Sequence, residues 1–240
     1  MPPPVPRQAG LLGRKPPHTG APLPRMGDFL KAPLPTPAPS ADLTNGLPIV
    51  WGMLGNDVHS DCADAGFYHL QAMEAASNRC LVSFPLDKVL QPYTQYCDLY
   101  NGGADDGVIL GTWFQLLFSL GLCLGYGTCP LSEALAYATL GHGVGYGVNL
   151  TDSDAREFEQ GVDWGTDSVQ PDQNLGHFVA LSGWTPASRR FVTWGSQQDA
   201  SLQWEAECTE EVVVVVTHWD DTLDRQALET AIKALPGGVG

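Results

Sequence analysis

From residue 62 to about residue 140 the apolar side chains recur every three or four positions, and beyond residue 143 they alternate or run unbroken. The first rhythm is that of helices, the second that of strands. Ala63, Gly66, Phe67, Leu70, Met73 and Ala76 mark one face of a helix entered through Ser60-Asp61-Cys62, with Ser60 as its expected N-cap. Phe84-Pro85-Leu86-Asp87 opens a second helix. Its apolar face is Val89, Leu90, Tyr93 and Tyr96-Cys97, and Pro92 is placed to kink it. Residues 112–122 and 131–140 read as two more helices. Residues 143–150, 176–184 and 189–195 read as strands, and so does 211–217, which holds five consecutive valines. Residues 223–235 form a closing helix stopped by Pro236-Gly237-Gly238. Between these lie a turn at 101–107 and an acidic stretch, 151–174, that reads as a long surface loop. Helices first and an antiparallel sheet afterwards predict an α+β fold.

The first 48 residues differ in kind. They hold 13 of the 19 prolines, which excludes helix or central strand and predicts an extended, partly polyproline II arm. The chain thus divides into an arm at 1–48 and a domain at 49–240, whose helical part is 49–142 and whose sheet part is 143–240. An extended arm needs a surface to lie on, either its own domain or a neighbouring subunit; a strap onto a partner is the expectation. Its apolar anchors are Leu11-Leu12 and Phe29-Leu30.

Charge narrows the partners. The formal net charge is −15, yet residues 1–41 carry Arg7, Arg14, Lys15, Arg25 and Lys31 against Asp28 alone. An acidic body argues against a broad nucleic-acid surface. No apolar run is long enough to span a bilayer. The N-terminal Met-Pro-Pro-Pro lacks the apolar core of a secretory signal, so synthesis in a reducing cytosol is expected. Six cysteines in 240 residues do not suggest a disulfide framework. No cofactor and no metal are expected: His59-x-x-Cys62 lacks a second ligand pair, and Asp105-Asp106 lacks the spaced ligands of a calcium loop.

The chemistry centres on Cys62. At the first turn of a helix the dipole favours thiolate over thiol, which would make the sulfur a nucleophile near neutral pH. The alternative is a small buried hydrophobe. Asn56, six positions earlier, is placed to point an amide N–H at an oxyanion beside the sulfur. A thiol nucleophile needs a base that is near in space and far in sequence. Among six histidines, His177 fits best: it opens a strand, follows a glycine and precedes apolar residues, which predicts a ring at a sheet edge facing a packed helix. His59 could line the cleft, His69 lies two turns along the Cys62 helix, and His142 and His218 sit at element ends. Thr193 or Gln198 could orient His177, less strongly than a carboxylate.

With these residues in this order, the chain resembles the papain-like cysteine peptidase superfamily. Asn56 matches its oxyanion glutamine by the six-residue lead, and Thr193-Trp194-Gly195 falls near where the family places Asn-Ser-Trp-Gly. It is most similar to papain-fold proteins, akin to bacteriocin-leader peptidases, of tailed phages and prophages. The motifs are Leu12-Gly13-Arg14-Lys15-Pro16, Gly55-Asn56-Asp57-Val58-His59-Ser60-Asp61-Cys62, Leu175-Gly176-His177-Phe178-Val179, Thr193-Trp194-Gly195 and Glu210-Glu211 before the valine strand. Leu175 and Ser60 stand where that group has glycine, and the third triad position is neither Asn nor Asp. The resemblance implies a papain-like domain, with Cys62 and His177 facing each other across a helix–sheet seam and Asn56 and Thr193 as the remaining catalytic positions. It implies a virion-associated protein of the capsid or tail, made in the host cytoplasm and anchored to neighbouring virion proteins through residues 1–48. Cys–His hydrolase chemistry is either retained on a peptide or cell-wall bond, or lost in a shell used as a building block.

Overall fold

The computed structural model describes residues 7–18, 23–165 and 170–236. The prolines of residues 1–6, Pro22, four residues of the acidic stretch (166–169) and the glycines of the C-terminal stop lie outside them.

Helices pack on an antiparallel sheet. The helices are α1 (Cys62–Ser77), α2 (Leu86–Tyr100), α3 (Leu110–Ser119), α4 (Ala134–Thr139), α5 (Asp154–Gln160), α6 (Leu202–Cys208) and α7 (Arg225–Lys233). The strands are β1 (Ala41–Asp42), β2 (Gly125–Thr128), β3 (Gly143–Asn149), β4 (Gly176–Trp184), β5 (Ser188–Thr193), β6 (Ser196–Ser201) and β7 (Thr209–Val216). The sheet order is β2-β7-β3-β4-β5-β6, with every pair antiparallel; β1 pairs with the far end of β4. The valines of β7 are fully buried between β2 and β3, where an unbroken apolar run belongs. Among the described residues no helix is long and apolar enough to cross a membrane.

Two glycines set the depth at which α1 lies on the sheet. A Cβ on Gly66 of α1 would stand 2.4 Å from the Phe178 ring, and one on Gly145 of β3 would stand 2.0 Å from it. The ring fills the slot that the two missing side chains leave, drawing the start of α1 against the start of β4.

Several expectations are corrected. Asp61, not Ser60, precedes the first helical residue, and its side chain caps nothing. Helix α2 continues through Pro92 to Tyr100. The acidic stretch contains α5, and β2, β6 and α6 were not foreseen. His177 is not at a sheet edge: β4 lies between β3 and β5. Residues 10–15 lie on the chain's own domain, forming backbone hydrogen bonds to Asn56, Val108 and Gly176.

Candidate active site

Cys62 is the first residue of α1 and is buried, with 2% of its surface exposed. His177 is the second residue of β4, with 1% exposed. The packing of Gly66 against Phe178 brings these starting points together, and the Phe178 backbone N–H acts directly on the Cys62 sulfur. No hydrogen bond joins the thiol to His177 Nδ1, which has no partner.

His177 is held from its other side. Its Nε2 shares a 2.6 Å hydrogen bond with Thr193 Oγ1 at the end of β5. The Trp194 ring lies against the imidazole, tilted by 32°, with ring centroids 4.7 Å apart. Trp194 and Gly195 form the two-residue turn from β5 to β6, both at positive φ (43° and 70°). This suits a tight hairpin, but a Trp there is strained by an amount on the order of 1 kcal/mol. Contacts of its ring with His177, Phe158 and Trp164 hold it in place. Gln198, the other candidate orienter, is engaged elsewhere. It donates to the carbonyls of Val162 and Asp199 and accepts from Arg7.

Asn56 lies in the loop before α1 and is buried. Its Nδ2 donates to the carbonyls of Leu11 (2.9 Å) and His59 (3.1 Å). The amide expected at an oxyanion thus holds the arm. His59 turns to Asp105, 3.0 Å from its carboxylate, and His69 bonds the Gly52 carbonyl.

Of the two surfaces open to the arm, residues 11–15 take the chain's own domain, and the contacts they make there were not legible in the sequence. Leu11 donates to the Asn56 carbonyl (2.7 Å), Val108 donates to Gly13 (2.7 Å), Lys15 to Val108 (2.8 Å) and Arg14 to Gly176 (3.2 Å). The fit allows no side chain at two points. A Cβ on Gly13 would stand 1.8 Å from the Ser60 carbonyl oxygen, and one on Gly176 would stand 2.1 Å from that of Arg14. The Arg14 side chain is fully enclosed. Its guanidinium pairs with Glu210 and Glu211, and it donates to Asn149 and to the Val148 carbonyl. Upstream, Arg7 bonds Gln197, Gln198 and the Phe158 carbonyl, and lies over the Phe158 ring. The motif residues Leu12-Gly13-Arg14 and Glu210-Glu211 were legible one by one; only the fold shows that Arg14 and the two glutamates clasp each other near His177.

Enclosure reverses the expected electrostatics. Burial pushes the Cys62 thiol up to about 12, further raised by Asp61, while the N–H groups of Phe178 and Gly13 and the charge of Arg14 pull the other way. Removal from water outweighs the helix dipole. Burial also pushes His177 down to about 3, assisted by the neighbouring Arg14 charge. Thiol and imidazole are both neutral at pH 7. Asp61, fully buried at the start of α1, is raised by burial to about 8.

No protein-family model matches the chain, nor does any curated protein sequence. Solved structures do. Xylellain, a cysteine protease from Xylella fastidiosa, is similar with a TM-score of 0.57 at 12% identity, over 89% of this chain and 98% of that one. Digestive procathepsin L 3 of Tenebrio molitor larval midgut matches with a TM-score of 0.54 at 14% identity, over 88% of this chain and 76% of that one. The Carica candamarcensis cysteine protease CMS1MS2, in complex with E-64, matches with a TM-score of 0.50 at 13% identity, over 76% of this chain and all of that one. The chain has the papain-like cysteine protease fold.

Proposed function

We propose that this chain is a cysteine hydrolase of amide bonds, held shut by residues 7–15 of its own arm. The observation that carries this is the orientation of His177: Nε2 anchored on Thr193, Nδ1 left without a partner, beside the helix that Cys62 begins. Lifting the arm admits water, which lowers the Cys62 pKa and raises that of His177. It also frees Asn56 Nδ2 from Leu11. His177 Nδ1 then takes the Cys62 proton as the sulfur attacks the carbonyl carbon of a peptide or cell-wall cross-link, and the oxyanion is held by Asn56 Nδ2 and the Cys62 backbone N–H. The protonated His177 gives its proton to the departing nitrogen as the C–N bond breaks. Water, deprotonated by His177, then cleaves the thioester, leaving a carboxylate and the regenerated thiol.

The test compares alkylation of Cys62 by iodoacetamide with that of the exposed Cys80, in the full chain and in a chain lacking residues 1–17. Cys62 is expected to be inert in the first and to overtake Cys80 in the second. If it stays slower than Cys80 in a truncated chain whose circular dichroism is unchanged, the hydrolase reading is wrong.

A second reading is a non-catalytic papain-fold component of a tailed-phage capsid or tail, made in the host cytoplasm. The enclosure of Arg14 favours it, because a clasp of this kind suits permanent closure. In that case the remainder of residues 1–48 reaches neighbouring virion proteins. Deleting residues 1–40 then abolishes incorporation into particles, and full occupancy by the truncated protein rules the reading out.

A further inference from the structure

At the other end of β3 from His177 lies a second group of chemically capable side chains. His142 immediately precedes β3, and His218 and Asp220 follow β7, whose end pairs with the start of β3. One ligand atom from each of the three lies within 4.8 Å of the other two. The His142 side chain is fully enclosed, while His218 and Asp220 are half-buried. The two imidazoles face one another with ring centroids 5.1 Å apart.

Two observations set this cluster apart from an ordinary His–Asp pair. First, His142 Nε2 meets Asp220 Oδ2 at 3.2 Å as an ion-pair contact out of line for a good hydrogen bond, and His142 Nδ1 has no hydrogen-bond partner. A buried imidazole with one nitrogen unpartnered and the other poorly aligned is costly unless something else takes a lone pair. Second, the Asp220 carboxylate is already oriented. Its Oδ1 accepts from the backbone N–H groups of Thr222 (2.7 Å) and Leu223 (3.3 Å), which leaves Oδ2 for another ligand. Fixing one carboxylate oxygen so that the other presents to a cation is how outer-shell bonds prepare metal ligands.

We propose that His142, His218 and Asp220 bind one divalent transition-metal ion of the zinc class. Two imidazoles and one carboxylate are the donors such ions prefer over magnesium or calcium. With metal–ligand bonds of about 2.0 Å, the edge of a tetrahedral site is about 3.3 Å. The His142–Asp220 separation of 3.2 Å already matches it, and His218, within 4.8 Å of both, has to close in by at most about 1.5 Å. Its partial exposure permits that movement and leaves the fourth position to water. The ion ties the start of β3 to the segment after β7. Along β3 it lies roughly 20 Å from His177, too far to touch the dyad, so it acts on the fold and not on the proposed hydrolysis.

The experiment uses the full chain stripped with a chelator and titrated with zinc chloride against a chromophoric competitor. One zinc per chain is expected, bound at about micromolar or tighter, with a raised melting temperature and no response to magnesium at the same concentration. His218→Ala and Asp220→Asn, both at half-exposed positions, are each expected to weaken binding about tenfold or more while leaving the metal-free melting temperature near that of the parent. With cobalt in place of zinc, the spectrum is expected to lack thiolate charge-transfer bands. Zinc binding unchanged in both variants, thiolate bands with cobalt, or an equal response to magnesium each overturns the proposal.

Discussion

The two ends of β3 each carry an enclosed histidine, and the surroundings make them opposites. At the Asn149 end, His177 lies against Trp194, anchored by a hydroxyl and roofed by an arm that brings in a cation. At the Gly143 end, His142 meets the Asp220 carboxylate at 3.2 Å and faces a second imidazole at the edge of solvent. Burial alone assigns no role to an imidazole. At the first end the neighbours fix the orientation of the ring and close it to water. At the second they set the imidazole among two further donors whose spacing suits a cation. The contrast also separates a site the chain itself has closed from one that it leaves open.

Removing the roof should have the largest effect. Arg14→Ala leaves Glu210 and Glu211 beside Asn149 without their cation and is expected to cost about 3–5 kcal/mol of stability, read from urea unfolding. In the chain lacking residues 1–17, where water reaches the sulfur, a Cys62 pKa falling from about 12 toward an ordinary thiol value multiplies the thiolate present at pH 7 by about a thousandfold. Cys62 alkylation should rise accordingly, and an unchanged rate would show that the arm does not seal the dyad. Next comes the slot that holds α1 to the sheet. Gly145→Ala drives a methyl group into Phe178 and is expected to cost about 1–3 kcal/mol, a drop of several degrees in melting temperature. A melting temperature equal to the parent's would show that the slot is not tight.

A smaller effect concerns pH. His177 and His69 are both pushed below their ordinary value by burial, to about 3 and about 4. Protons therefore bind the unfolded chain more tightly, and stability falls as pH drops below about 6.5. Asp61 is raised to about 8, so its proton binds the folded chain more tightly. Its contribution is full below the ordinary carboxylate range and is lost as pH rises toward 8. Melting temperature should peak between these limbs. Asp61→Asn should flatten the alkaline limb and leave the acid limb intact; a parallel shift of the whole profile would contradict this assignment. The smallest change is Thr193→Val, which removes one hydrogen bond to His177 at about 1 kcal/mol of stability. If hydrolysis is established, this variant should lower kcat more than it raises KM, because it frees the imidazole without altering the groove.

The sequence made one side of this contrast legible. Helical spacing after Cys62, the strand opening at His177 and the five valines placed three elements correctly, because each carries a local apolar period. β2 (Gly-Tyr-Gly-Thr) and β6 (Ser-Gln-Gln-Asp-Ala-Ser) have no such period and owe their strand state to pairing with β7 and β5. Helix α5 was read as loop because Phe158 is the main apolar residue in an acidic run. Burial of Cys62 depends on an arm about fifty residues upstream, so local reading favoured the helix dipole and missed the larger opposing effect. His142 and His218 were noted only as lying at element ends. Their meeting is a product of the β3–β7 register, which no spacing reveals.

Because residues 7–15 belong to the polypeptide they cover, their hold on the groove does not weaken on dilution. A tether of this length maintains a local concentration on the order of millimolar however little protein is present. A soluble peptide competing for the groove has to exceed that figure, so this chain should respond to a cut or a pull on its N-terminal segment long before it responds to the abundance of any free competitor.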